Sequence, residues 1–158
     1  MSNKSKTFFL LVSFFIICMS VITRSDLIKL AINTSDSVPY RFFMVIKGTP
    51  LSKGNYASFY APGNGRYPTN TVFTKKVAGV AGDNIIIKDK ELWINHQRVG
   101  HLLAKDSRGH LLSIVPAGKI PVGFYFMAGA HEKSFDSRYQ GMGLIPANNI
   151  MGRAYPLF

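Results

Sequence analysis

The sequence predicts a small, mostly β domain of antiparallel strands that follows one N-terminal transmembrane helix. Three observations lead to this fold class. Short runs rich in β-branched and aromatic residues recur after residue 24, separated by clusters of glycine, proline, asparagine and aspartate. Long amphipathic helical patterns are missing from that part of the sequence. An uncharged apolar run precedes it at residues 7–22.

The apolar run TFFLLVSFFIICMSVI is long enough to approach the thickness of a bilayer. At about 1.5 Å per residue it comes close to crossing a hydrocarbon core of about 30 Å. Two lysines precede it, and residues 20–22 do not offer the small-x-small site of a cleavable signal peptide. We therefore predict an uncleaved signal anchor over residues 7–23. Residues 1–6 would form a cytoplasmic tip, and residues 24–158 one domain outside the cytoplasm.

The domain is predicted to contain strands of about five residues joined by tight turns. The strand runs that stand out are 55–60, 71–77, 84–88, 91–94 and 123–127, and the turn clusters are 47–50, 61–65, 81–83, 94–97 and 116–123. Asp89 and Lys90, between two of the strand runs, indicate a hairpin turn. Gly79 and Gly82 are expected to permit a tight turn that Asp83 caps.

The charge of the protein is strongly basic, with a formal net charge of +11 over 158 residues. The lysines and arginines are scattered singly, and neither a zinc-ligand spacing nor an RNA-binding aromatic signature is present. We therefore expect no nucleic-acid partner, no metal and no cofactor. A basic solvated surface and attraction to anionic lipid head groups both agree with this charge. The single cysteine, Cys18, excludes an intrachain disulfide.

Three polar segments carry the candidate chemistry: NTSDSVP at 33–39, FTKKVAGVAGD at 73–83 and SFDSRY at 134–139. Taken singly, each also agrees with an ordinary structural role, as a turn, a solvated strand edge or a helix cap. On a strand, Lys75 and Lys76 would point to opposite faces, so only one could enter a site. The four histidines are predicted to be structural or surface residues: His96, His101, His110 and His131.

The order and spacing of these segments resemble the type I signal peptidase family (peptidase S26). Within it they are most similar to the shorter branch of conjugative-transfer (TraF-like) peptidases. The family shows Ser-x-Pro just after an anchor, then Lys-Lys/Arg-Val-x-Gly-x-x-Gly-Asp, then Ser-x-Asp-Ser-Arg-Tyr. The resemblance covers nearly the whole chain, and it implies an antiparallel β domain of signal-peptidase type with a Ser–Lys catalytic dyad.

The resemblance assigns a role to each matching residue. It implies that Ser37 is the nucleophile and Lys75 the general base, a role that lysine can fill only if burial lowers its pKa. Ser35 matches the position whose hydroxyl joins the Ser37 backbone N–H in the oxyanion hole. Ser134 matches the serine that hydrogen-bonds the lysine and orients it.

Two further residues match the family pattern, and several positions depart from it. Asp136 and Arg138 match a supporting ion pair. Ala81 stands where many relatives have proline, and Arg41 occupies a position that is often glycine in the conjugative branch. Residues 129–133 replace the Gly-Asp-Asn-Arg-Asp-Asn run of housekeeping enzymes. These departures argue against a general housekeeping role.

The resemblance implies a membrane-bound serine endopeptidase, single-pass in the bacterial inner membrane, with its catalytic domain on the periplasmic side. The family cleaves after small residues at the first and third positions before the bond. The expected partners are inner-membrane lipid and a substrate with a signal or propeptide, such as a prepilin or another conjugative transfer component. Some conjugative relatives cyclise a pilin, so hydrolysis and cyclisation both stay open. The alternative is a non-catalytic, membrane-tethered assembly factor of a conjugation or secretion apparatus.

Overall fold

The computed structural model describes residues 3–24, 26–62, 67–68 and 70–158. Part of the turn predicted at 61–65 therefore lies outside the described residues. The described elements, in chain order, are Asn3–Arg24 (α1), Ile28–Ile32 (β1), Phe42–Ile46 (β2), Tyr56–Tyr60 (β3), Val72–Gly79 (β4), Asn84–Lys88 (β5), Glu91–Ile94 (β6), Gln97–His101 (β7), Gly118–Lys119 (β8), Phe124–Ala128 (β9), Ile145–Pro146 (β10), the 3-10 helix Ala147–Asn149 and Ile150–Pro156 (β11). The predicted mostly β domain is confirmed.

Helix α1 contains the whole apolar segment predicted over residues 7–23. Its described apolar side chains are exposed; Phe8 and Phe14, for example, are 64% and 67% exposed. Among the helices of the described residues, none combines the length and the apolar character needed to cross a membrane.

The strands form two antiparallel sheets. The larger sheet has the order β1-β2-β11-β3-β4-β9-β10 and the smaller one the order β7-β6-β5-β8, counted over the described part of the chain. In the smaller sheet, β5 and β6 are joined by Asp89 and Lys90, both in the left-handed conformation, with φ of 52° and 61°. Such a two-residue connection matches the twist of an antiparallel pair, and the predicted hairpin is confirmed.

The five strand runs predicted from the sequence all form strands, with bounds that differ by at most two residues. Other strands did not stand out, and β11 shows why. Its sequence contains Gly152, Arg153 and Pro156, which are poor indicators of a central strand. It nevertheless lies between β2 and β3 in the sheet. At Gly152 the two backbones are so close that a Cβ would overlap the Ile46 carbonyl oxygen of β2. The absence of a side chain allows this close approach, which only the folded chain reveals.

The core lies between the sheets and along the larger one. Ile94 of β6 and Phe126 of β9 belong to the cluster that joins the two sheets, and both are fully buried. Gly79, predicted as a turn residue, instead ends β4 in this layer, where a Cβ would lie 2.6 Å from Ile120 Cδ1. The turn itself uses Gly82, with φ of +91°, and the Asp83 carboxylate accepts a hydrogen bond from the Val80 N–H at 3.0 Å.

Candidate active site

The three polar segments meet on one side of the larger sheet. Ser37 lies in the loop between β1 and β2, Lys75 lies on β4, and Ser134 follows β9. The Ser37 loop is fixed from behind because Val38 is 4% exposed in the core and the Ser37 carbonyl accepts a 2.6 Å hydrogen bond from Ala130 N–H. Segments that are far apart in sequence are therefore held together by packing and by backbone hydrogen bonds.

Lys75 is almost completely buried, with 1% of its surface exposed, whereas its neighbour Lys76 is exposed on the opposite face of β4. Among the described residues, its one hydrogen-bond partner is Ser134, with Nζ donating to Oγ at 2.9 Å. Burial lowers the pKa of Lys75 from 10.5 to about 8, against the opposing effect of Asp136 and with a further lowering by Arg138. A lysine in this position exists partly as the neutral amine near neutral pH.

Ser134 stands between the lysine and the other serine. Its Oγ lies 2.9 Å from Lys75 Nζ and 3.3 Å from Ser37 Oγ. No direct hydrogen bond joins Lys75 and Ser37 in the described part of the chain. The sequence had suggested only that Ser134 orients the lysine. Its position also allows it to carry a proton between the two groups.

Ser35 contacts the same serine from the other side. Its Oγ lies 3.0 Å from Ser37 Oγ and 2.9 Å from Asn33 Oδ1, and it accepts a long 3.4 Å hydrogen bond from Ser37 N–H. A hydroxyl has one proton to donate, so Ser35 can donate to Ser37 Oγ or to Asn33 Oδ1 but not to both. The same proton can be donated to a substrate oxygen instead. The long bond leaves the Ser37 N–H largely available as a second donor.

Asn33 organises this loop, a role that was not predicted from the sequence. Its Nδ2 donates hydrogen bonds to the carbonyl oxygens of Ser35, Tyr40 and Val38 at 2.6, 3.2 and 3.3 Å. Its Oδ1 accepts from the Ser35 backbone N–H at 3.3 Å as well as from the Ser35 hydroxyl. Asparagine side chains often form turns by hydrogen-bonding the backbone two residues further on, and that tendency was the signal available in the sequence.

Asp136 and Arg138 form a buried, two-pronged ion pair behind Ser134. Arg138 Nε and Nη2 donate to the two carboxylate oxygens at 2.8 and 2.9 Å, and both residues are at most 1% exposed. Burial alone would lower the pKa of Arg138, but the Asp136 carboxylate raises it above its ordinary value. Arg138 also donates to the carbonyl oxygens of Ser134 and His101 at 3.0 Å each, which ties the Ser134 loop to β7.

Gly129 permits the close contact between the Ser134 loop and the Ser37 loop. A Cβ at this position would overlap Ser134 Oγ and would lie 3.1 Å from the Ser37 carbonyl oxygen. Its N–H donates to Asp136 Oδ2 at 2.9 Å. Glycine is therefore required here by space and not by an unusual backbone conformation.

Two concave surfaces meet at Ser37. The apolar groove, of about 450 Å³, runs between β1 and the start of β4 and is lined by residues 30–35 and 71–75 among others. The charged cavity, of about 820 Å³, contains ionisable side chains from two further loops: Asp106, Arg108, His110, His131 and Lys133. Both surfaces include Ser35, Ser37 and Lys75. The two histidines were predicted to be structural or surface residues, and they are exposed, but both border this cavity.

Comparisons with known proteins point to one family. The family model described as signal peptidase, peptidase S26, matches residues 2–158. The chain is 33% identical over 97 residues to signal peptidase I V of Bacillus subtilis strain 168, covering 54% of this chain and 56% of that protein. It is 30% identical over 97 residues to signal peptidase I of Bacillus licheniformis, covering 56% of this chain and 52% of that protein.

The chain thus spans about half the length of these curated relatives. Among solved structures, a signal peptidase I from Enterococcus faecalis V583 matches with a TM-score of 0.44 and 19% identity. That match covers 66% of this chain and 97% of the other.

Proposed function

The chain belongs to the signal peptidase family, peptidase S26, and we propose that it is a serine endopeptidase in which Ser37 is the nucleophile and Lys75 the general base. One observation carries this proposal. The buried Lys75 Nζ, the Ser134 hydroxyl and the Ser37 hydroxyl form a continuous hydrogen-bonded series, with separations of 2.9 and 3.3 Å. A serine becomes an effective nucleophile when a nearby base can take its proton, and this series supplies the path.

The first step is acylation of Ser37. With Lys75 neutral, the Ser37 O–H donates to Ser134 Oγ, and the Ser134 O–H donates to Lys75 Nζ. As Ser37 Oγ attacks the substrate carbonyl, one proton moves to Ser134 and another from Ser134 to Lys75, so Ser134 ends unchanged and Lys75 becomes an ammonium. The lowered pKa of Lys75 supports this role, because an ordinary lysine is almost entirely protonated at neutral pH.

The oxyanion that forms on the carbonyl oxygen requires hydrogen-bond donors. We assign this role to the Ser37 backbone N–H and the Ser35 hydroxyl. Before reaction, the Ser37 N–H donates only a long 3.4 Å hydrogen bond to Ser35 Oγ. The Ser35 hydroxyl has two alternative acceptors, Asn33 Oδ1 and Ser37 Oγ. A donor of this kind is typically worth about 3 kcal/mol in the transition state.

Collapse of the tetrahedral intermediate breaks the peptide bond and leaves an ester on Ser37. The departing amine takes a proton from the Lys75 ammonium through Ser134, which restores neutral Lys75. The acyl group is then released either to water, which gives a linear product, or to an amine of the substrate, which gives a cyclic one. Both routes use the same acyl-enzyme and the same base.

The apolar groove is the proposed binding site for the segment before the scissile bond. Within the described part of the chain, β1 is at the edge of its sheet, and residues 72–75 of β4 pair only with β3, because pairing with β9 begins at Lys76. Two strands with free backbone groups on either side of a groove can hydrogen-bond an extended peptide between them. An apolar signal or propeptide segment fits this surface.

We propose the inner membrane as the location, with residues 7–23 as the anchor and the β domain on the periplasmic side. Support comes from the exposed apolar side chains of α1 and from Leu30 and Ile32 of β1, which are 79% and 68% exposed. Tethering at a bilayer raises the effective concentration of a membrane-inserted substrate. We propose a prepilin or another component of a conjugative transfer apparatus as that substrate.

The test uses the full chain in detergent or liposomes with a candidate prepilin. We expect wild type and the matched control Lys76→Ala to process it, and Ser37→Ala and Lys75→Ala to lose processing. Undiminished processing by either of the last two variants would contradict the assignment. Mass spectrometry separates the two routes, since a linear product is one water heavier than a cyclic one. If a serine-directed covalent inhibitor failed to label Ser37, the non-catalytic assembly factor would be favoured instead.

A further inference from the structure

Two loops present cationic side chains to the charged cavity next to Ser37. The first loop is closed by the bridge between Lys105 and Leu111 and places Arg108 in its turn. The second is a tight turn in which Ser134 N–H donates to the His131 carbonyl at 2.9 Å, with Lys133 inside it. Lys133 is therefore attached directly to the serine whose hydroxyl is 3.3 Å from Ser37 Oγ.

The cations of the cavity differ in whether an acidic group already neutralises them. The Asp106 carboxylate accepts hydrogen bonds from the backbone N–H groups of Arg108 and His110 at 2.8 and 2.9 Å, and it lies 3.2 Å from His110 Nδ1. Arg108 and Lys133, by contrast, form no ion pair with any carboxylate of the described residues. Asp36 also lines the cavity, but it forms no ion pair with either cation among the described residues, so both positive charges are left for a ligand.

His131 adds an oriented donor to the same surface. Its Nδ1 accepts a hydrogen bond from Lys133 N–H at 3.1 Å, so in the neutral ring the proton is on Nε2. The surface therefore combines the His131 ring with two cations that form no ion pair with a described carboxylate. This set of groups is suited to a carboxylate.

The position of this surface identifies which part of a substrate would reach it. The inference rests on the proposed function: the apolar groove holds the segment before the scissile bond, and the bond itself lies at Ser37. The chain after that bond must leave Ser37 in a direction not occupied by the groove. The charged cavity shares Ser37 with the groove and has the required volume, about 820 Å³.

We propose that Arg108 and Lys133 form a binding site for an acidic side chain in the first few residues after the scissile bond. The preferred substrate then joins an apolar segment that ends in small residues to a leaving segment with aspartate or glutamate near its start. Selection acts on substrate binding and orientation, and the acylation chemistry at Ser37 is the same for all substrates.

The test begins with the wild-type full chain in detergent micelles and a set of C-terminally amidated peptides. All share one apolar segment ending in Ala-x-Ala, and they carry Asp, Asn or Lys at the first, second, third or fourth position after the bond. At one position or more we expect kcat/KM to be about fivefold higher for Asp than for Asn, and lower still for Lys. The difference should arise mainly in KM and should shrink at high salt, because it is a partly exposed ion-pair effect.

Charge reversal supplies the second part of the test. In Arg108→Glu/Lys133→Glu, the ratio of kcat/KM for the Asp and Lys peptides should invert. The control Lys88→Glu/Lys119→Glu makes the same change in net charge on the exposed small sheet and should keep the wild-type ratio. Covalent labelling of Ser37 measures the active fraction of each variant.

Equal kcat/KM for the Asp, Asn and Lys peptides at every position in wild type would overturn this inference and leave the proposed function intact. An unchanged ratio in the charge-reversed variant would do the same. If wild type cleaved none of the peptides and Ser37 could not be labelled, the proposed function would fail, and this inference with it.

Discussion

Replacing Lys75 by methionine tests how burial tunes this side chain, because the change removes the charge and keeps an apolar chain of similar length. The wild-type protein buries an amine whose pKa is lowered to about 8 from an ordinary value of 10.5. That difference corresponds to about 3 kcal/mol of unfavourable free energy for the protonated form in the folded state. An uncharged methionine side chain carries no such penalty.

The sign of the effect follows from proton binding. Below pH 8 both folded and unfolded wild type are protonated at Lys75, and the full penalty is present. Between pH 8 and 10.5 the unfolded chain binds more protons than the folded one, so wild-type stability rises with pH. We therefore expect Lys75→Met to be more stable than wild type by up to about 3 kcal/mol at pH 7, and the advantage to vanish above pH 10.5.

Activity should change in the opposite direction. At pH 7 a pKa of about 8 leaves about 10% of Lys75 neutral, about 300 times the fraction of an ordinary lysine. Wild-type kcat/KM should rise about tenfold per pH unit below pH 8 and level off above it. Lys75→Met should lose at least about 100-fold in kcat/KM at all pH values, whereas Lys76→Met should keep the wild-type profile.

Two measurements decide the matter. Urea unfolding followed by the fluorescence of Trp93, the single tryptophan, gives the free energy of unfolding at each pH. Cleavage of a peptide ending its apolar part in Ala-x-Ala gives kcat/KM. The reasoning would be refuted if Lys75→Met were less stable than wild type at pH 7, if the difference did not depend on pH, or if wild-type activity were flat from pH 6 to 9.

Two further predictions concern the groups that position the site. Asn33→Ala removes the hydrogen bonds that shape the Ser37 loop, and we expect about a 100-fold fall in kcat with little change in KM; steady-state kinetics check this, and Asn149→Ala, at a half-buried asparagine of the 3-10 helix, serves as the control. Gly129→Ala places a Cβ on Ser134 Oγ and should slow covalent labelling of Ser37 about 100-fold, while the unfolding transition stays cooperative. Wild-type rates in either variant would show that the position is not needed.

The sequence was informative where local pattern and structure coincide. β5 and β6 were predicted with their observed bounds because β-branched residues flank a two-residue turn at Asp89 and Lys90. The polar segments containing Ser37, Lys75 and Ser134 were recognised from their order and spacing.

Long-range contacts set the limit of that prediction. The central position of β11 in the sheet depends on Gly152 lying against β2, which is more than 100 residues earlier in the chain. The role of Asn33 depends on how the loop closes on Tyr40, and the charged cavity depends on how the Arg108 loop folds toward Ser37. Contacts of this kind leave little trace in local composition.

The place of β11 has a consequence for biosynthesis. Among the described strands, β2, next to the Ser37 loop, and β3, which pairs with the Lys75 strand β4, are joined only through β11, although β11 lies far beyond both in the chain. A chain under synthesis therefore cannot complete the sheet, or fix the two halves of the site in register, until residues 150–156 have been made and have reached the folding domain. The proposed protease would therefore become active only after β11 has paired with both β2 and β3.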